Sequence, residues 1–200
     1  MRLSMLAVSA WFLVCLLVPA MALAGGEKPR VRVSTSLGDL VIELEAEKAP
    51  VTVENFLKYV DSGFYKGTIF HRVIDGFMIQ GGGFTAAMRK KTNTYPPISL
   101  ESRNGLENDK YTVAMARTGD PDSATSQFFV NVVDNPRLDF ASSEDGHGYA
   151  VFGRVIEGTD VVEKIRAVPT TTRAGREDVP IDEVLITSVE RIDEADARGR

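Results

Sequence analysis

Two histidines, His71 and His147, and one cysteine, Cys15, are the whole stock of imidazole and thiol in this chain. A structural zinc site takes four ligands, usually cysteine or histidine, and these three side chains at these positions do not supply it. His71 lies in an apolar segment and reads as a packed strand histidine. Nucleophilic hydrolysis has no signature either: neither a Gly-x-Ser-x-Gly elbow nor a Ser-x-x-Lys pair occurs. Gly81-Gly82-Gly83 suggests a phosphate-cradling loop, but no Gly-Lys-Ser/Thr follows it, and glycines after a strand more often mark close backbone packing or a bulge. Asp120, Asp122 and Asp134 lack the glycine and terminal glutamate of a calcium loop. Among 28 acidic residues no carboxylate pair can be singled out by position. The expected chemistry is one without metal, cofactor or covalent intermediate.

The elements that would position such a site begin after an export leader. Arg2 opens residues 1–24, an apolar run follows to Val18, and Pro19 precedes the small-residue pattern Ala22-Leu23-Ala24. That order is a secretory signal peptide cleaved before Gly25, with residues 25–30 as a short polar leader. Cys15 leaves with the signal, so the mature chain is expected to carry no thiol into an oxidising compartment. Loss of Arg2 moves the formal charge from −5 to −6, and the remaining chain has no extended basic block. Nucleic acid is therefore not an expected partner, and neither is stable membrane insertion after cleavage.

Residues 31–36 and 40–45 read as two strands of a hairpin turning at Leu37-Gly38-Asp39. Pro50 opens a helix whose apolar face is Val53, Phe56, Leu57 and Val60, stopped by Gly63. Strands are expected at 68–74 and 77–82, joined by Asp75-Gly76, then at 111–117, 126–132, 149–156 and 184–192. Residues 85–109 form a polar ordered loop, Val161, Val162, Ile165 and Val168 mark a second helix, and 193–200 is a charged flexible tail. Many short strands with turn signals predict a small β-barrel with two helices placed to cover it, as a single domain over 31–192.

Three segments then carry a resemblance. Phe70-His71-Arg72-Val73-Ile74-Asp75-Gly76-Phe77-Met78-Ile79-Gln80-Gly81-Gly82 resembles the core motif of the cyclophilins. Ser126-Gln127-Phe128-Phe129-Val130 and Tyr149-Ala150-Val151-Phe152-Gly153 are similar to two further family segments in the same order, and Asn55-Phe56 and Ala114-Met115-Ala116 fit as well. The likeness runs from about Val31 to Ile192, and the leader with residues 114–129 most resembles the bacterial periplasmic branch.

The resemblance implies a mainly β fold, a closed eight-stranded antiparallel barrel capped by two α-helices. It implies peptidyl-prolyl cis-trans isomerase activity on proline-containing unfolded or partly folded exported proteins, in the periplasm, by a monomer. The implied catalytic residues are Arg72, Phe77 and Gln80. Met78, Ala116, Arg117, Gln127, Phe129, Leu138 and Tyr149 are the implied substrate-binding residues, with no metal and no cofactor. Arg72 is expected to donate to the proline nitrogen while Phe77, Met78, Phe129 and Leu138 line a slot for the ring, and the backbone of Ala116 and Arg117 holds the flanking peptide. Phe128 and Phe129 are neighbours on a strand, so only one of them can face the slot. The chain departs from familiar eukaryotic members at Arg137, where they carry tryptophan, at Arg117 (asparagine), at Tyr149 (histidine) and at Asp75 (commonly proline). These departures bear on inhibitor binding and substrate preference. The alternative of another class is a chaperone module that holds proline segments with little turnover.

Overall fold

The computed structural model describes residues 28–192; the expected signal peptide, most of the short leader and the C-terminal tail lie outside them. The first hairpin forms as expected. In β1 (Arg30–Thr35) buried and half-exposed residues alternate, and β2 (Gly38–Leu44) pairs with it from Arg30 opposite Glu43 to Thr35 opposite Gly38. The period-two alternation sends Val31 and Val33 inward to zero exposure.

Helix α1 (Pro50–Asp61) starts on proline, whose missing N–H costs nothing in a first turn. It has no side-chain cap of its own. Glu101, about fifty residues on, supplies one: its carboxylate accepts from the backbone N–H of Val51 at 3.1 Å and of Thr52 at 2.8 Å. A carboxylate there satisfies orphan donors and complements the positive end of the helix dipole. Val53, Phe56, Leu57 and Val60 pack into the core with Tyr59.

The segment after α1 is divided. β3 (Thr68–Ile69) pairs with β11 (Leu185–Ile192), whereas β4 (Arg72–Ile74) pairs with β5 (Met78–Gly81). With β6 (Thr112–Met115), β7 (Phe128–Asn131) and β8 (Val151–Glu157), the nine-stranded antiparallel sheet runs β3-β11-β1-β2-β8-β6-β7-β5-β4. Its two outermost strands are thus halves of one seven-residue segment. Between them the N–H of Phe70 donates to the Val184 carbonyl at 3.0 Å and that of His71 to the Gln80 carbonyl at 3.0 Å. The strongly curled sheet encloses an aromatic core of Phe56, Tyr65, Phe70, Phe128 and Phe152, each at or below 1% exposure.

The fold is mainly β with two helices, as expected, and the main sheet counts nine strands because residues 68–74 break into β3 and β4 at Phe70-His71. Helix α2 (Thr159–Arg166) ends before Val168, since Pro169 cannot continue it, although Val168 still packs on the core. A second, two-stranded sheet, β9 (Thr170–Arg173) with β10 (Arg176–Pro180), was not foreseen. β9 is exposed along almost its whole length and has no apolar alternation to announce it.

Candidate functional site

One face of the sheet carries a small apolar slot. β4 brings Arg72, β5 brings Met78 and Gln80, and the β4–β5 turn ends on Phe77. Met78 and Gln80 are two apart and share a face, while Ile79 between them is fully buried in the core. Register then sets their neighbours: Arg72 lies opposite Gln80, Gln80 opposite Phe129, and Phe129 opposite Ala114. Leu138 arrives on a single 3-10 turn, Pro136–Leu138, and Tyr149 just before β8. The cavity these groups enclose has a volume of about 120 Å³ and is lined by Arg72, Phe77, Met78, Gln80, Ala116, Arg117, Phe129, Leu138 and Tyr149.

The adjacent phenylalanines divide as strand geometry requires. Phe128 enters the core, meeting Phe56 edge-on at 5.6 Å and Tyr65 at 5.5 Å. Phe129 belongs to a separate cluster with Met78, Ala114 and Val151, and its ring stands edge-on to Tyr149 at 5.6 Å. Behind them the glycine run has a packing function. At Gly82, with φ of +81°, a β-carbon would sit 2.9 Å from the Tyr65 ring and 3.0 Å from Phe128; at Gly83 it would meet Gln127 Cγ at 2.4 Å. Gln127 itself lies outside the slot. Its side-chain oxygen accepts from Gln80 Nε2 at 3.1 Å, and it lines an adjoining cleft of about 340 Å³ with His71, Arg72, Lys90, Arg176 and Glu177. Arg72 borders both cavities.

Arg117 turns its side chain into the rim of the slot. Its guanidinium side chain is only 1% exposed. Nε and Nη2 donate to the Gly148 carbonyl at 3.0 and 2.8 Å, Nη1 donates to Thr118, and Nη2 also pairs with Asp145. The same group lies 4.5 Å from the Tyr149 ring centroid. Four of the five guanidinium N–H groups are thus engaged in fixing the rim, and the backbone at this position is left for a ligand. Asp145, receiving Arg117 and the N–H groups of His147 and Gly148, is held well below the usual carboxylate range.

A chain of buried amides under the slot was not singled out from sequence. Asn131 Nδ2 donates to Thr112 Oγ1 at 2.9 Å, and Asn135 Nδ2 donates to Asn131 Oδ1 at 2.8 Å and to the Phe77 carbonyl at 2.9 Å. Asn108 donates to Asp139, next to Leu138, at 2.9 Å. The network ties Phe77 and the Leu138 turn to β7. Asn131 in an otherwise apolar strand was the available signal, because a buried polar group must have partners.

Arg72 is 44% exposed in its side chain, and its Nε lies 3.8 Å from Asp178 Oδ2. His71 beside it is buried, and burial first, with the positive charges of Arg176 and Arg72, lowers its pKa to about 4. It is a neutral packed ring at pH 7, 4.5 Å from Phe84. Arg137 sits outside the slot with its guanidinium 4.7 Å from the Phe77 ring centroid, in cation–π geometry. Among the described residues no group of three or more His, Cys, Asp or Glu side chains could hold a metal ion.

Residues 30–191 match the model of a family described as cyclophilin type peptidyl-prolyl cis-trans isomerase/CLD. The chain is 59% identical over 159 residues to the peptidyl-prolyl cis-trans isomerase cyp18 of Streptomyces antibioticus, spanning 79% of this chain and 95% of that one. It is 54% identical over 156 residues to peptidyl-prolyl cis-trans isomerase B of Escherichia coli K12, covering 78% and 94%. A solved structure of a cyclophilin type peptidyl-prolyl cis-trans isomerase of Cryptosporidium parvum superposes with a TM-score of 0.69 at 30% identity, over 84% of this chain and 99% of that one.

Proposed function

The chain belongs to the cyclophilin family and is a peptidyl-prolyl cis-trans isomerase, and from this premise we infer that the X-Pro bond turns in the apolar slot with Arg72 as hydrogen-bond donor. The observation that carries this reading is that a guanidinium and a ring-sized apolar cavity share one opening. Resonance sets a barrier of roughly 18–20 kcal/mol to rotation about a peptide bond. Halfway round, conjugation is lost and the proline nitrogen gains a lone pair that accepts a proton donor. Nothing covalent forms, so the protein has only to hold the ring and aim a donor at the nitrogen. Phe77, Met78, Phe129 and Leu138 hold the ring; Gln80 and the Ala116 and Arg117 backbone hold the peptide on either side. Arg72 stands at the slot's edge, and a bound peptide covers it, removing water and strengthening its bond to the nitrogen.

The protein acts, on this reading, on exported proteins in the periplasm after cleavage before Gly25. The leader pattern supports the location, and a site that grips only proline and adjacent backbone supports a broad client range. Fractionation of the native host tests both. The periplasmic species is expected to have the intact mass of a chain starting at Gly25 and to accelerate exchange of an alanyl-prolyl peptide at substoichiometric amounts. A full-length membrane-bound species overturns the export reading. Effects only at stoichiometric amounts would favour a holding chaperone.

Arg137 bears on inhibitor binding. Cyclosporin, a cyclic peptide inhibitor of many family members, meets a tryptophan at this position in familiar members. Arginine can donate in place of the indole, but it gives up hydration of a full charge and its stacking on Phe77 to lie against an apolar ligand. Wild type is therefore expected to bind cyclosporin weakly, and Arg137→Trp to bind it tighter by about 1–3 kcal/mol, as buried aromatic anchors do. Isomerisation changes little. Calorimetric titration of both proteins decides it, and tight wild-type binding or no gain on substitution removes Arg137 from the ligand face.

A further inference from the structure

We propose that Asp178 is a positioning residue for Arg72, delivered to it by a bulge in the β9–β10 hairpin; this rests on the reading of Arg72 as the donor. The hairpin register places Arg176 opposite Arg173 and Val179 opposite Thr171, so Glu177 and Asp178 together face Thr172 alone. Two residues against one is a β-bulge, a device that bends a strand and re-aims a side chain. Asp178 has φ of +60°, in the left-handed region that L residues occupy at a cost and that glycine occupies freely. A bulge serving only to bend the strand would be better served by glycine. The carboxylate is what distinguishes the residue present.

That carboxylate has a specific neighbour. β10 lies against β4, and Asp178 Oδ2 stands 3.8 Å from Arg72 Nε, the ion pair that Arg72 makes among the described residues. Both side chains are well exposed, at 44% and 37%, so the pair adds little to stability. Its effect is geometric. Nε is the inner nitrogen of the guanidinium, and attraction there biases the orientation of the planar group while leaving both terminal nitrogens for the substrate. An exposed arginine otherwise spreads over many rotamers, and each turnover must then freeze one. Asp178 does part of that ordering in advance.

The tests are Asp178→Asn, which removes the charge and keeps tolerance of the left-handed backbone, and Asp178→Gly, which also relieves the backbone. Both should lose about tenfold in kcat, as coupled neighbours commonly do, with KM changed less than about twofold because ring binding is untouched. The thermal midpoint should hold in Asp178→Asn and hold or rise in Asp178→Gly. Asp178→Glu should recover most of the lost turnover, and Asp178→Asn should have no further effect in an Arg72→Ala background. Wild-type kcat in both test variants overturns the proposal. So does a rate loss that follows a falling thermal midpoint and is not recovered by glutamate. Arg72→Ala at the wild-type rate would instead remove the donor reading itself, which separates the two failures.

Discussion

Arg72→Lys loses roughly 10²-fold or more in kcat/KM, nearly as much as Arg72→Ala, and stays folded. One pre-organised donor in a site closed to water is worth about 2.7–4 kcal/mol at the transition state, which sets the size of the loss. Lysine keeps the charge but not the planar fork. It cannot hold one N–H on the proline nitrogen while another fixes a peptide carbonyl, and its flexible stem is not oriented from the Nε side. The loss falls mainly on kcat, because Phe77, Met78, Phe129 and Leu138 still receive the ring. The fold survives because the Arg72 side chain is 44% exposed and its ladder bonds to β5 are made by the backbone. Exchange rates on an alanyl-prolyl peptide, with thermal midpoints as the folding control, decide the matter. Wild-type rates in a folded Arg72→Ala protein rule out the donor.

Phe128→Ala is expected to cost about 3–5 kcal/mol of stability, as truncation of a fully buried aromatic ring does. The ring has zero exposure and meets Phe56, Tyr65 and Phe70 edge-on at 5.6, 5.5 and 6.1 Å. It also contacts the backbone curve at Gly82, so the void opens under the site as well as inside the core. For a domain of this size the thermal midpoint should fall by roughly 6–20 °C. Below that midpoint kcat remains near wild type, because every slot-lining group is on the other face of β7. Phe129→Ala gives the opposite balance, with a raised KM as its leading effect. Guanidinium titration with parallel kinetics separates the two neighbours. A wild-type midpoint in Phe128→Ala would mean that the core closes over the lost ring without cost.

Much of this was legible from residue pattern alone. The first hairpin, α1 and the paths of β5, β7, β8 and β11 follow from apolar spacing and glycine or proline punctuation, and the opposed faces of Phe128 and Phe129 follow from the pleat. The slot was less so: singly, Met78 or Leu138 looks like any core residue, and only the ordered motif set them together. Three things escaped for physical reasons. The β9–β10 hairpin is polar and exposed, so no burial shapes its sequence. The Glu101 cap and the Asn108–Asn131–Asn135 chain are long-range polar contacts, and pairing of that kind leaves no periodicity. The hold of the Arg117 side chain on the Gly148–Tyr149 rim is a long-range polar contact of the same kind.

The division of residues 68–74 between β11 and β5 sets a condition on when this enzyme can first work. A chain emerges from synthesis or a translocation channel amino end first. Arg72 is delivered early, but the half-segment beside it, β3, finds its partner only at Leu185–Ile186, and β1 also waits for β11, with Arg30 opposite Ile192. Pairings of such long separation pay their loop-closure entropy late and make folding slow. The sheet is therefore incomplete at every stage before its last strand arrives, although every slot-lining residue lies between 72 and 149. Full activity is thus expected to be the last property the folding chain acquires, once β11 holds the segment that carries Arg72.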